Sequence, residues 1–67
     1  MKITFDKKAD AMYIYLQSKK VFETKQITDD TIVDMDNDGN VIGIELLFVS
    51  KRMPIEKLSS LNIKQIT

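Results

Sequence analysis

The sequence predicts an α+β fold: a small antiparallel sheet of four to five strands in a hairpin meander, with one short C-terminal helix packed on one face. Three observations predict it. Polar and apolar residues alternate over several short runs, the period of a half-buried strand. Asp38-Gly39 separates two β-rich runs, a strong short-range hairpin signal. Behind Pro54 the period lengthens, with Ile55, Leu58 and Leu61 recurring at three-residue spacing.

The elements follow in order. Lys2-Ile3-Thr4-Phe5 alternates and forms the first strand. Asp6 to Asp10 is polar and suits a turn or a single helical turn capped by Asp6. Ala11 to Leu16 is the second strand, with Met12, Ile14 and Leu16 on one face and Tyr13 and Tyr15 on the other. Gln17 to Lys20 turns the chain, and Val21 to Thr28 reads as an edge strand blunted by Glu23 and Lys25. Thr31 to Val49 is the best-defined element, a hairpin turning at Asp38-Gly39. That turn pairs Asn37 with Asn40, Asp36 with Val41, Met35 with Ile42, Asp34 with Gly43 and Val33 with Ile44. A one-residue slip would exchange acids for core residues, so the pattern supports its own register. The helix spans about residues 54 to 61 and covers the face built by Ile3, Phe5, Met12, Ile14, Val33, Met35, Ile42, Ile44 and Leu46. Residues 62–67 fray or add a marginal strand.

The 67 residues are expected to form one domain, 1–67, whose small size leaves a thin margin of stability. There is no Cys and no His, which closes thiolate chemistry, disulfides and imidazole-based catalysis or metal binding. Ser18, Ser50, Ser59 and Ser60 therefore have no imidazole to activate them, and a catalytic triad is excluded. Gly39 and Gly43 lack the spacing and Lys-Ser/Thr tail of a phosphate loop. No apolar h-region follows Met1, and no apolar run approaches a membrane span, so a cytoplasmic protein without membrane contact is expected.

The zero net charge conceals a pattern: residues 1–28 carry +3, residues 29–45 carry −6, and residues 46–67 carry +3. Internal neutralisation, an acidic central hairpin flanked by basic neighbours, is the favoured reading of this distribution, and an acidic edge offered to a basic partner is the alternative. Direct nucleic-acid binding is not expected, because no face-wide basic excess exists.

Asp34-x-Asp36-x-Asp38-Gly39-x₅-Glu45 matches the calcium-loop template of an EF-hand. Its flanks read as strands rather than helices, so Asp34, Asp36, Asp38 and Glu45 make at most a weak divalent-cation site on an acidic hairpin. Paired carboxylates for acid–base catalysis would need a desolvated cleft that so small a sheet has little room to build. An enzyme is therefore not expected, nor any cofactor. Tyr13 and Tyr15, on the face opposite the core, either form cross-strand pairs near Val41 or Leu47 or anchor a protein interface. The interface reading groups Tyr13, Tyr15, Asp34, Asp36, Glu45 and Leu47, and predicts a homodimer or a complex with a protein partner. Lys51-Arg52 is expected to be a solvated pair.

Three stretches resemble a small prokaryotic family, domain of unknown function 2283 (DUF2283). They are Asp6 to Ile14, Asp30 to Leu47, and Ser50-Lys51-Arg52-Met53-Pro54. The family pattern starts like I-x-Y-D-x-x-A-D-A-L-Y-I, continues V-D-x-D-x-x-G-x-V-x-G-I-E-I-L, and enters a helix through S-K-R-L-P. Phe5 stands where the family usually has Tyr. The resemblance implies an all-antiparallel sheet with a C-terminal helix and brings no established activity. Members resemble stand-alone proteins, some encoded beside RelE-like toxins, so the resemblance implies an antitoxin whose partner is a small basic toxin.

Overall fold

The computed structural model describes residues 1–52 and 64–65. The sheet is built from β1 (Lys2–Asp6), β2 (Ala11–Tyr15), β3 (Glu23–Thr28), β4 (Thr31–Met35) and β5 (Val41–Leu46), followed by α1 (Val49–Arg52) and the two-residue β6 (Lys64–Gln65). The first five strands pair antiparallel, as the alternating pattern requires. β6 adds to β1 in parallel. The helix expected over residues 54 to 61 lies outside the described residues.

The order across the sheet is β3-β4-β5-β2-β1-β6, so the strands do not form one continuous meander. A β1–β2 hairpin joins a β3–β4–β5 meander along β2 and β5. The connection between β2 and β3 accordingly crosses the far end of the β4–β5 hairpin. Leu16 and Gln17 donate their backbone N–H groups to the Ile42 carbonyl, Lys19 lies 3.6 Å from the Asp36 carboxylate, and Phe22 N–H donates to the Met35 carbonyl.

The core occupies one face. Phe5, Met12 and Val49 are buried together, with Ile3, Ile14 and Leu46 packed around them. Val49 is the most enclosed, at 1% exposure, and burying such a side chain stabilises by about 2 kcal/mol. This corrects the expectation that the hairpin element continues to Val49. The chain leaves β5 at Leu46, and Phe48 adopts a left-handed φ of 54°. The reversal turns Val49 inward as the first residue of α1.

Both ends of α1 are tied to distant turns. Asp10, itself left-handed at φ 53°, accepts Val49 N–H on its carbonyl and Ser50 N–H and Oγ on its carboxylate, at 3.0, 3.0 and 2.7 Å. Arg52 reaches the β3–β4 turn, donating to the Asp30 carbonyl at 2.9 Å and Thr31 Oγ1 at 2.8 Å, and pairs with the Asp30 carboxylate at 2.5 Å. The Thr28 hydroxyl and then Arg52 hold the Asp30 carboxyl below its usual range. Arg52 is thus an anchor rather than one of a solvated pair. Lys51 rests over the Phe48 ring at 5.5 Å.

Candidate functional site

The hairpin tip turns as a three-residue loop, Asn37-Asp38-Gly39, rather than at Asp38-Gly39 alone. Asp36 N–H donates to the Asn40 carbonyl at 2.9 Å, and Gly39 takes φ 84°, a conformation that side-chain-bearing residues resist. Asp36 therefore sits opposite Asn40, and Met35 pairs with Val41 instead of Ile42. One extra residue on β5 then restores the expected pairs, Asp34 with Gly43 and Val33 with Ile44.

Asp36 organises this loop from within. Its carboxylate accepts the N–H groups of Asp38 and Asn40, both at 2.9 Å, and the Asn40 side-chain amide at 3.2 Å. The Asn40 backbone bond, opposed by desolvation and supported by the Asn40 side chain, Asp38 N–H and Lys19, lowers its pKa from the ordinary carboxylate value. At 7% exposure, Asp36 is not part of an acidic outer face. Asp38 is exposed at the tip. Among the described residues no three carboxylates gather where they could hold a metal ion. The pattern that mimics a calcium loop is distributed over a turn and two strands.

The opposite sheet face is where Tyr13, Tyr15, Asp34 and Glu45 meet. The registers lay out two cross-strand rows: Lys2, Tyr15, Gly43, Asp34 and Thr24, and beside it Thr4, Tyr13, Glu45, Ile32 and Gln26. The tyrosines' cross-strand partners on β5 are thus Glu45 and Gly43, not Val41 or Leu47. The Tyr13 ring leans diagonally across Gly43, where an added Cβ would lie 2.6 Å from Tyr13 Cε1, and its hydroxyl donates to Asp34 Oδ2. Thr24 Oγ1 donates to the other Asp34 oxygen at 2.7 Å. Desolvation, then the bond to Asp34 and its negative charge, raise the Tyr13 pKa far above the phenol range. Tyr13 is consequently a fixed donor at neutral pH, unsuited to proton shuttling.

Tyr15 is the open member of the pair. Its ring is 4.4 Å from that of Tyr13, tilted by 51°, and it is 43% exposed. Lys2 Nζ lies 5.3 Å from its centroid, so the ring already attracts a cation. Beside the rings is a shallow cleft of about 240 Å³, lined by Thr4, Asp6, Ala11, Tyr13, Tyr15 and Glu45. Thr4 is buried at its floor, at 3% exposure. Asp6 caps the β1–β2 turn, accepting Lys8 and Ala9 N–H at 3.0 and 3.1 Å. The carboxylate of half-buried Glu45 makes no hydrogen bond or ion pair with the other described residues, which leaves it as the available charge of the cleft. Leu47 stands apart, half-buried at the exit of β5, with its N–H on the Asp30 carbonyl.

Sequence reasoning alone missed Gly43, Asp10 and Arg52. For Gly43 a signal existed, because an isolated glycine inside a strand marks close approach of another group. Nothing local announced that Asp10 would cap a helix forty positions away.

The class defined by this geometry is a small sheet protein with one face that packs Phe5 and Met12 against Val49 of a short helix and one tyrosine–carboxylate face. Residues 2–50 match the family described as Protein of unknown function (DUF2283), and the chain belongs to that family. An uncharacterized protein of Methanocaldococcus jannaschii is 35% identical over 57 residues, covering 85% of this chain and 48% of that protein. The chain thus spans about half the length of that relative. No solved structure matches it. No helix among the described residues is long and apolar enough to cross a membrane.

Proposed function

We propose that the protein is a non-catalytic interaction module of the cytoplasm whose tyrosine–carboxylate face takes a cationic side chain from a basic protein partner. The observation that carries this reading is Glu45, a half-buried carboxylate without a hydrogen-bond or ion-pair partner among the described residues, set beside the exposed Tyr15 ring. A guanidinium or ammonium group there would gain a charge-assisted bond and a cation–π contact together. The cleft, about 240 Å³, is smaller than usual small-molecule pockets of roughly 300–1,000 Å³, which favours a side chain over a substrate. The absence of Cys is compatible with a reducing compartment.

The antitoxin role implied by the family resemblance is the specific form of this proposal. Carboxylates of this face would then enter a groove that a small basic toxin otherwise offers to RNA phosphates. Tyr15→Ala and Glu45→Lys are the informative variants, because Tyr13 is integral to the packing over Gly43. The tagged wild-type chain should retain a basic protein encoded beside it, and each variant should lose that protein while keeping the wild-type circular-dichroism spectrum. A basic partner held equally by all three proteins would refute the assignment of this face.

A further inference from the structure

The two edges of the sheet differ. At one, β1 is covered by β6; at the other, β3 ends the sheet order, and all six of its residues are exposed. Val21, Phe22 and Ile27 along this edge are exposed by 45%, 68% and 59%. An open strand edge with apolar residues beside it is a ready template for another strand.

Its backbone defines which residues can pair. The Met35 carbonyl accepts from Phe22 on the β3 side, while the next amide, Asp36 N–H, donates to Asn40 on the β5 side. Antiparallel alternation therefore turns the amides of Met35 and Val33 toward β3, and those of their partners Glu23 and Lys25 inward. Thr24 and Gln26 are left with N–H and C=O groups directed outward.

We infer that this edge pairs antiparallel with β3 of a second copy of the chain, about a two-fold axis at Thr24. In that register the two Thr24 residues face one another as a hydrogen-bonded pair. Glu23 of each copy stands opposite Lys25 of the other, so both charges that blunt the edge find opposite partners. Phe22 meets Gln26, and Val21 comes near Ile27. Neighbouring two-fold registers lack this complementarity: an axis at Glu23 opposes two glutamates, and one at Lys25 opposes two lysines. Glu23 and Lys25 thus select the partner and the register rather than only discouraging association. The tyrosine faces are left open, on the same side of the joined sheet.

Sedimentation velocity over a concentration series tests the pairing. The wild-type chain should dimerise. Glu23→Lys and Lys25→Glu should each be monomeric at concentrations where it is dimeric, and the double exchange should restore the dimer without mixing with wild type. Thr24→Cys should oxidise to a covalent dimer, because the chain has no other Cys and a hydrogen-bonded antiparallel pair places Cα atoms about 5.5 Å apart, within disulfide reach. Tyr15→Ala should leave the dimer intact, which separates this interface from the face proposed above. A wild-type monomer at millimolar concentration, a dimer indifferent to both charge reversals, or dissociation by Tyr15→Ala would each overturn the inference.

Discussion

Asp36 and Asp10 both use a carboxylate to hold backbone N–H groups, yet they act over very different lengths of chain. Asp36 binds Asp38 and Asn40, two and four residues onward, and closes its own loop. Asp10 binds Ser50 across forty positions and fixes where α1 lies against the sheet. The first set of bonds can form as soon as the hairpin does. The second requires β1, β2 and β5 already to be assembled, since those strands bring Asp10 and Ser50 together. Similar chemistry therefore nucleates structure in one place and locks it in the other.

The largest effect that separates the two is expected at the tip. Asp36→Ala removes three hydrogen bonds at a buried position and should lower the melting temperature by on the order of 10 °C. Stopped-flow chevrons should show mainly slower folding, the signature of a contact present in the transition state. The same variant has a pH signature. Because the folded-state pKa of Asp36 lies below its unfolded value, its stabilisation is complete above the ordinary carboxylate range. It disappears as pH falls through the folded value, so the gap between wild type and Asp36→Ala should narrow below about pH 4. A gap independent of pH would contradict the assigned bonds.

Next in size is Asp10→Ala, which should lower the melting temperature by about 5 °C and act mainly by faster unfolding. Asp10→Gly loses the same side-chain bonds but relaxes the left-handed backbone at φ 53°, so it should be less damaging than alanine. If glycine proved worse, the cap would have to act through something other than the carboxylate and the backbone.

The smallest contrast lies inside the loop. Gly39→Val places a β-branched residue at φ 84° and should lower the melting temperature by roughly 5 °C, whereas exposed Asn37→Ala should change it by no more than about 2 °C. Equal losses in thermal melts would remove the left-handed assignment of Gly39.

This contrast also explains what could be read from the sequence. The first five strands were legible because alternation is a local property, as was the edge character of β3, with Glu23 and Lys25 exposed on it. The approximate turn was legible from Asp38-Gly39. Its three-residue form was not, because the choice depends on Asp36 closing onto Asn40 and on one extra residue in β5. The joining of β2 to β5, and with it the sheet order, is a non-local choice that periodicity does not encode. At the candidate site, the shared face of Tyr13 and Tyr15 followed from a spacing of two. The separation of Asp34 and Glu45 from Asp36 did not, because all three acids look alike until the turn takes one of them.

The packing of Tyr13 over Gly43 constrains the order in which the chain can change over generations. While the ring is present, any side chain at position 43 collides with it, so Gly43→Ala is a damaging first step. Once Tyr13 is replaced by a smaller residue the collision is gone, but Asp34 has then lost its phenol donor. The two positions form a ratchet with one passable direction: the tyrosine must go before the glycine can, and an alanine at 43 then bars the tyrosine's return.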